Sequence, residues 1–117
     1  KYMKILAFID DWQISAKLAK ITTDFSFDLT FCESLVDPLN IDSYHIVIVA
    51  MQNIVDIELN ILENKFKKNN IYVLGFMQNL KGNNVKDYKQ YGFSIILSQK
   101  ELFNNLESIL KKISNAI

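Results

Sequence analysis

Two short runs with no polar residue inside them, Ile5–Ile9 (ILAFI) and Ile46–Val49 (IVIV), constrain this chain more than any other feature. A strand that is apolar at successive positions needs cover on both faces, as in the middle of a parallel sheet, whereas a strand with one wet face alternates. Ile71–Met77 and Phe93–Leu97 read as two further strands. Phe27, Leu29 and Phe31 alternate with Asp28, Thr30 and Cys32, which predicts a half-buried strand at a sheet edge.

Helical periods separate these runs. Trp12–Lys20 begins a helix whose face carries Ile14, Leu18 and Ile21, with Asp11 placed to cap its start. Asn53–Lys68 sets Ile54, Ile57, Ile61, Leu62 and Phe66 on one face and ends in lysines, as suits a helix carboxyl end. Leu102, Phe103, Leu106, Ile109, Leu110 and Ile113 form the stripe of a last helix. The single proline, Pro38, allows at most a short helix within Leu35–Ile41. Gly82 and the asparagines after it predict a loop, then a short helix over Val85–Tyr91 stopped by Gly92.

Five strands and about five helices in alternation, joined by right-handed crossovers, give an α/β fold. The expected architecture is a doubly wound five-stranded parallel sheet, a flavodoxin-like three-layer sandwich of strand order 2-1-3-4-5. With 117 residues the chain is read as one domain over residues 1–117.

Bulk properties narrow the function classes. Lys+Arg and Asp+Glu are both 13, and every one of those cations is Lys. A balanced surface without Arg lacks both the electrostatic footprint and the bidentate fork of a nucleic-acid reader. No run approaches the ~20 apolar residues of a membrane span, and Met3–Ile9 is too short for a signal-peptide core. Cys32 is the one cysteine, so no internal disulfide forms and a cytoplasmic setting is expected. Its place in an alternating strand, with no His near it in sequence, reads as packing rather than nucleophilic chemistry.

The chemistry-bearing residues cluster after the first strand. Asp10 and Asp11 stand where an open α/β sheet collects ligands, outside the carboxyl ends of its strands. Two readings stay open for the pair: joint Mg²⁺ ligands, or a helix cap at Asp11 beside a solvated Asp10. Two acids with no third protein oxygen hold Mg²⁺ weakly, and no other cofactor is expected. Trp12 follows them, either as a packing residue or as an exposed recognition anchor. His45, the one histidine, precedes an apolar strand and reads as a strand-entry residue. Three glycines leave no phosphate-cradling loop.

The order KILAFIDD, YHIVIVAM, IYVLGFMQ and YGFSIILSQKELFNNLESILKKI resembles the receiver domain (CheY-like) of bacterial two-component response regulators along nearly the whole chain. The resemblance implies the same fold and, position by position, a degenerate phosphorylation pocket. Asp10 and Asp11 match the metal-binding acids. Ala50 falls on the phosphoacceptor, Met77 on the hydroxyl residue that grips the phosphoryl group, and Gln99 on the lysine, with Lys100 where proline follows it. Ile96 takes the place of the switch aromatic. A methyl group cannot accept a phosphoryl group, and the lost contacts are charge-assisted bonds of about 1.5–3 kcal/mol each.

The reading is therefore a phosphorylation-independent pseudo-receiver without enzymatic activity. It is expected to act by contact with a protein partner or its own output domain, or by homodimerisation through the last strands and helix. Two rivals are a small-molecule-binding or enzymatic domain using a crevice among Asp10, Asp11, Trp12, Ala50, Met51 and Met77, and a conventional phosphorylated switch.

Overall fold

The computed structural model describes residues 3–25, 27–32, 41–54, 56–68, 70–78 and 88–116. Its strands are β1 (Lys4–Phe8), β2 (Asp28–Cys32), β3 (Ile46–Ala50), β4 (Tyr72–Met77) and β5 (Ile95–Ser98). Its helices are α1 (Trp12–Asp24), α2 (Asp56–Lys68) and α3 (Gln99–Ala116), with 3₁₀ turns at Ile41–Ser43 and Met51–Asn53. The five strands lie in the order β2-β1-β3-β4-β5, every pairing parallel. The doubly wound, flavodoxin-like sheet is the one the apolar runs predict. The expected helix at Pro38 and the loop at Gly82 fall outside the described residues; the helix ahead of Gly92 is seen only as its last turn, at 88–89.

Burial explains why the strands differ in sequence. All five residues of β3 are fully buried, because β1 and β4 flank it and helices cover both its faces. One layer joins the sheet to α1 and α3 through Ile14, Leu18, Leu102, Leu106 and Leu110. The other joins it to α2 through Leu59, Leu62 and Phe66. Edge strand β2 is wetter than its alternation predicts, since Phe31 is 42% exposed.

Helix α2 corrects the sequence in register. The buried line is Leu59, Leu62 and Phe66, while Ile61, expected on the same face, is 49% exposed. Neighbours one residue apart are rotated by about 100° on a helix, so Ile61 and Leu62 cannot both face the sheet fully. Ile54 precedes the helix, because the chain first makes the 3₁₀ turn at Met51–Asn53.

Two glycines mark close approaches. Gly92 has φ +95°, a conformation favouring a residue without Cβ, and a Cβ there would come within 2.9 Å of Phe66 Cβ. That turn seats Phe93 edge-on against Phe66, ring centroids 5.7 Å apart, and so delivers the chain to β5. At Gly75 in β4, a Cβ would stand 2.8 Å from both Ile96 Cδ1 and Met51 Sδ. Three elements meet there at backbone distance.

His45 fastens the amino ends of three strands. Its Nδ1 accepts the Lys4 amide proton at 3.1 Å, its own amide donates to the Lys4 carbonyl at 2.9 Å, and its carbonyl accepts from the Tyr72 amide at 3.2 Å. It is a strand-entry residue, as its position in sequence suggests.

The register of α2 is testable by urea unfolding. Leu62→Ala is expected to cost about 2–5 kcal/mol by leaving a cavity, and Ile61→Ala less than about 1 kcal/mol. Equal losses at the two positions would contradict the register.

Candidate functional site

The carboxyl ends of β1, β3 and β4 carry most of the residues singled out in the sequence, and the structure gives each a distinct environment. Asp11 is the N-cap of α1: its Oδ1 accepts from the amides of Gln13 at 2.9 Å and Ile14 at 3.1 Å. Asp10 is exposed beside it. Among the described residues no group of three or more His, Cys, Asp or Glu side chains converges. With one carboxylate engaged on the helix amides and no third acid joining, the donor set does not fit a firmly held divalent cation.

Ala50 ends β3 with its side chain fully buried in the layer beneath α1 and α3, and the chain turns straight into the 3₁₀ turn at Met51. Met77, 8% exposed at the end of β4, belongs to the opposite layer, beneath α2. Met51 fills that same layer and reaches Gly75. The two positions resembling an acceptor and its hydroxyl partner are thus apolar packing on different faces of the sheet.

Gln99 stands at the junction of β5 and α3. Strand β5 ends at Ser98, and Gln99 opens α3. The reason is a reciprocal cap that the sequence reading missed: the Glu101 amide donates to Ser98 Oγ at 3.1 Å, and the Ser98 amide donates to Glu101 Oε1 at 3.0 Å. The signal was present as Ser-x-x-Glu over 98–101, directly before the apolar stripe. Gln99 borders a shallow polar groove with Lys17, Gln78, Lys100 and Asn104, against the ring of Phe103. The Ser98 amide, then its hydroxyl, hold the Glu101 carboxyl below the usual glutamate range. Ile96 is 5% exposed and wedged against Gly75, so no ring stands at that position to swing outward.

The crevice expected among Asp10, Asp11, Trp12, Ala50, Met51 and Met77 is displaced. An open groove of about 890 Å³ lies instead toward the β2 edge, between α1 and the ends of β1 and β2. Of the six expected residues only Asp10 and Trp12 line it, joined by Phe31, Cys32 and the small side chains of Ala16 and Ala19. Burying Ala50, Met51 and Met77 closes the centre of the sheet end, which leaves the open space at its margin. Trp12 is 76% exposed and Phe31 42%. Cys32 packs against the α2 layer, half-buried.

Comparison with known proteins places this geometry. No family model matches the sequence, and no curated protein does. Solved structures match closely in shape: a response regulator from Thermotoga maritima superposes with a TM-score of 0.78 at 10% identity, covering 97% of this chain and 98% of that one. The chain has the receiver fold. A pilus assembly-related protein from Burkholderia pseudomallei gives a TM-score of 0.76 at 16% identity over 97% of this chain and 90% of that one. An orphan response regulator of H. pylori gives 0.71 at 18% identity over 95% of each. No helix among the described residues is long and apolar enough to cross a membrane.

Two measurements probe this receiver-fold site. Asp11→Ala is expected to cost about 1 kcal/mol through loss of the cap and Asp10→Ala almost nothing, read by chemical denaturation; a reversed order would mean Asp10 holds something structural. The Glu101 cap adds a pH dependence. A depressed folded pKa stabilises above the ordinary glutamate range, and that contribution is lost as pH falls through the lowered folded value. Glu101→Gln keeps a capping partner and is expected to flatten the acid limb of the stability profile; an unchanged limb would sever Glu101 from it.

Proposed function

We propose that this chain is a regulatory module of the receiver fold that works by protein contact and not by aspartyl phosphorylation. The observation that carries the reading is Ala50: at the end of the central strand, where a receiver presents its acceptor carboxylate, a fully buried methyl group stands. Met77 and Gln99 support it, since neither supplies the hydroxyl and the ammonium that would grip phosphoryl oxygens. The fold neighbours that are response regulators support a signalling context, and the pilus assembly-related neighbour supports a place in a protein assembly.

In this reading the module has no enzymatic activity, needs no cofactor and acts in the cytoplasm. Its contact face is the outer side of α3 with edge strand β5, which meets a partner protein, an attached output domain or a second copy. A net charge of +0 gives the chain no general attraction for nucleic acid. One observation favours a second reading, ligand binding at the same end of the sheet: the groove beside Trp12 and Phe31 is large and largely apolar. A thermal shift that rises with one metabolite and is abolished by Trp12→Ala would support that second reading.

Incubation with a small phosphodonor and Mg²⁺, followed by intact-mass measurement, tests the main proposal. The expected result is an unmodified mass and, by light scattering, an assembly state identical with and without the donor. A phosphoryl adduct stable in acid and labile in base would overturn it.

A further inference from the structure

We infer that a second groove, at the amino ends of β3–β5 and therefore opposite the degenerate site, binds a small amphipathic carboxylate. The groove encloses about 430 Å³, within the range of small-molecule sites, which run to about 300–1,000 Å³. Its apolar wall is Ile95 of β5 with Ile109 and Ile113 of α3. Its polar rim is His45, Tyr72, Lys112 and Asn70, whose side-chain amide both donates and accepts. The backbone amide of Lys4 occupies His45 Nδ1, which leaves the ring proton on Nε2. Tyr72 contributes a phenol, whose pKa partial burial pushes up from the usual tyrosine value. Lys112 brings an ammonium group, and among the described residues it has no ion-pair partner.

Among the described residues no acid lines this groove, and Lys112 gives it a full positive charge. One cation, neutral donors and an apolar wall together match a singly charged oxygen head on an aryl or alkyl body. A doubly charged phosphate fits less well. The wall comes from the carboxyl-terminal half of α3, whose carbonyl ends carry partial negative charge, and no Arg is present to offer a fork. The site shares no residue with the groove at Trp12 and owes nothing to the phosphorylation reading.

The test is a titration followed through backbone amide chemical shifts, with 4-phenylbutyrate and the uncharged 4-phenylbutan-1-ol as probes. Saturable shifts are expected at Tyr72, Ile95 and Ile109, with the carboxylate bound about three- to fivefold more tightly than the alcohol, the scale of one exposed ion pair. Lys112→Gln, on an exposed position, is expected to abolish that preference without unfolding the protein, and Tyr72→Phe to weaken carboxylate binding. Shifts that do not saturate, that are equal for acid and alcohol in the unaltered protein, or that centre on Trp12 would overturn the assignment.

Discussion

Five consecutive buried residues in β3, Ile46–Ala50, are the constraint around which the rest of the molecule is arranged. A strand apolar on both faces must be flanked by strands and sandwiched by helices, because in water it would expose a continuous hydrocarbon ribbon. β1 and β4 supply the flanks, with Ile5 opposite Ile46 and Ile46 opposite Tyr72, and α1, α3 and α2 supply the cover. His45 sets the start of this arrangement by tying the amino ends of β1, β3 and β4 through one residue.

The same constraint shapes what happens at the carboxyl ends. Continuing burial through Ala50 and into Met51 leaves no room at the centre for a hydrated acid cluster. Met51 and Ile96 instead converge on Gly75, where only a hydrogen fits. Apolar packing therefore occupies ground that chemistry would need, and the polar groups that remain serve local structure. Asp11 caps α1, and Ser98 with Glu101 caps α3. A receiver fold with this interior retains its outer surfaces, and those are what a contact-based role requires.

Among the described residues, open grooves lie at the margins of the sheet. One groove flanks the edge strand β2, a second lies beside the carboxyl-terminal half of α3, and a shallower one borders the start of α3. The linings of the first two differ in character: exposed aromatics beside an acid at β2, neutral polar groups with one ammonium beside α3.

Strand order, the parallel sense of every pairing and the α3 stripe were legible in the residues themselves, because uninterrupted apolar runs and the 3.6-residue period are local consequences of burial on two faces or one. The resemblance to a receiver also singled out Ala50, Met77 and Gln99, and the structure buries the first two in the core and sets Gln99 at the start of α3. Tertiary structure decided the rest. It turned Ile61 outward and Leu59 inward, since helix phase is fixed by the surface packed against and not by composition. It also set an open groove at the β2 edge and not at the sheet centre. Those outcomes depend on distances between residues far apart in the chain, which a one-dimensional pattern of polarity does not contain.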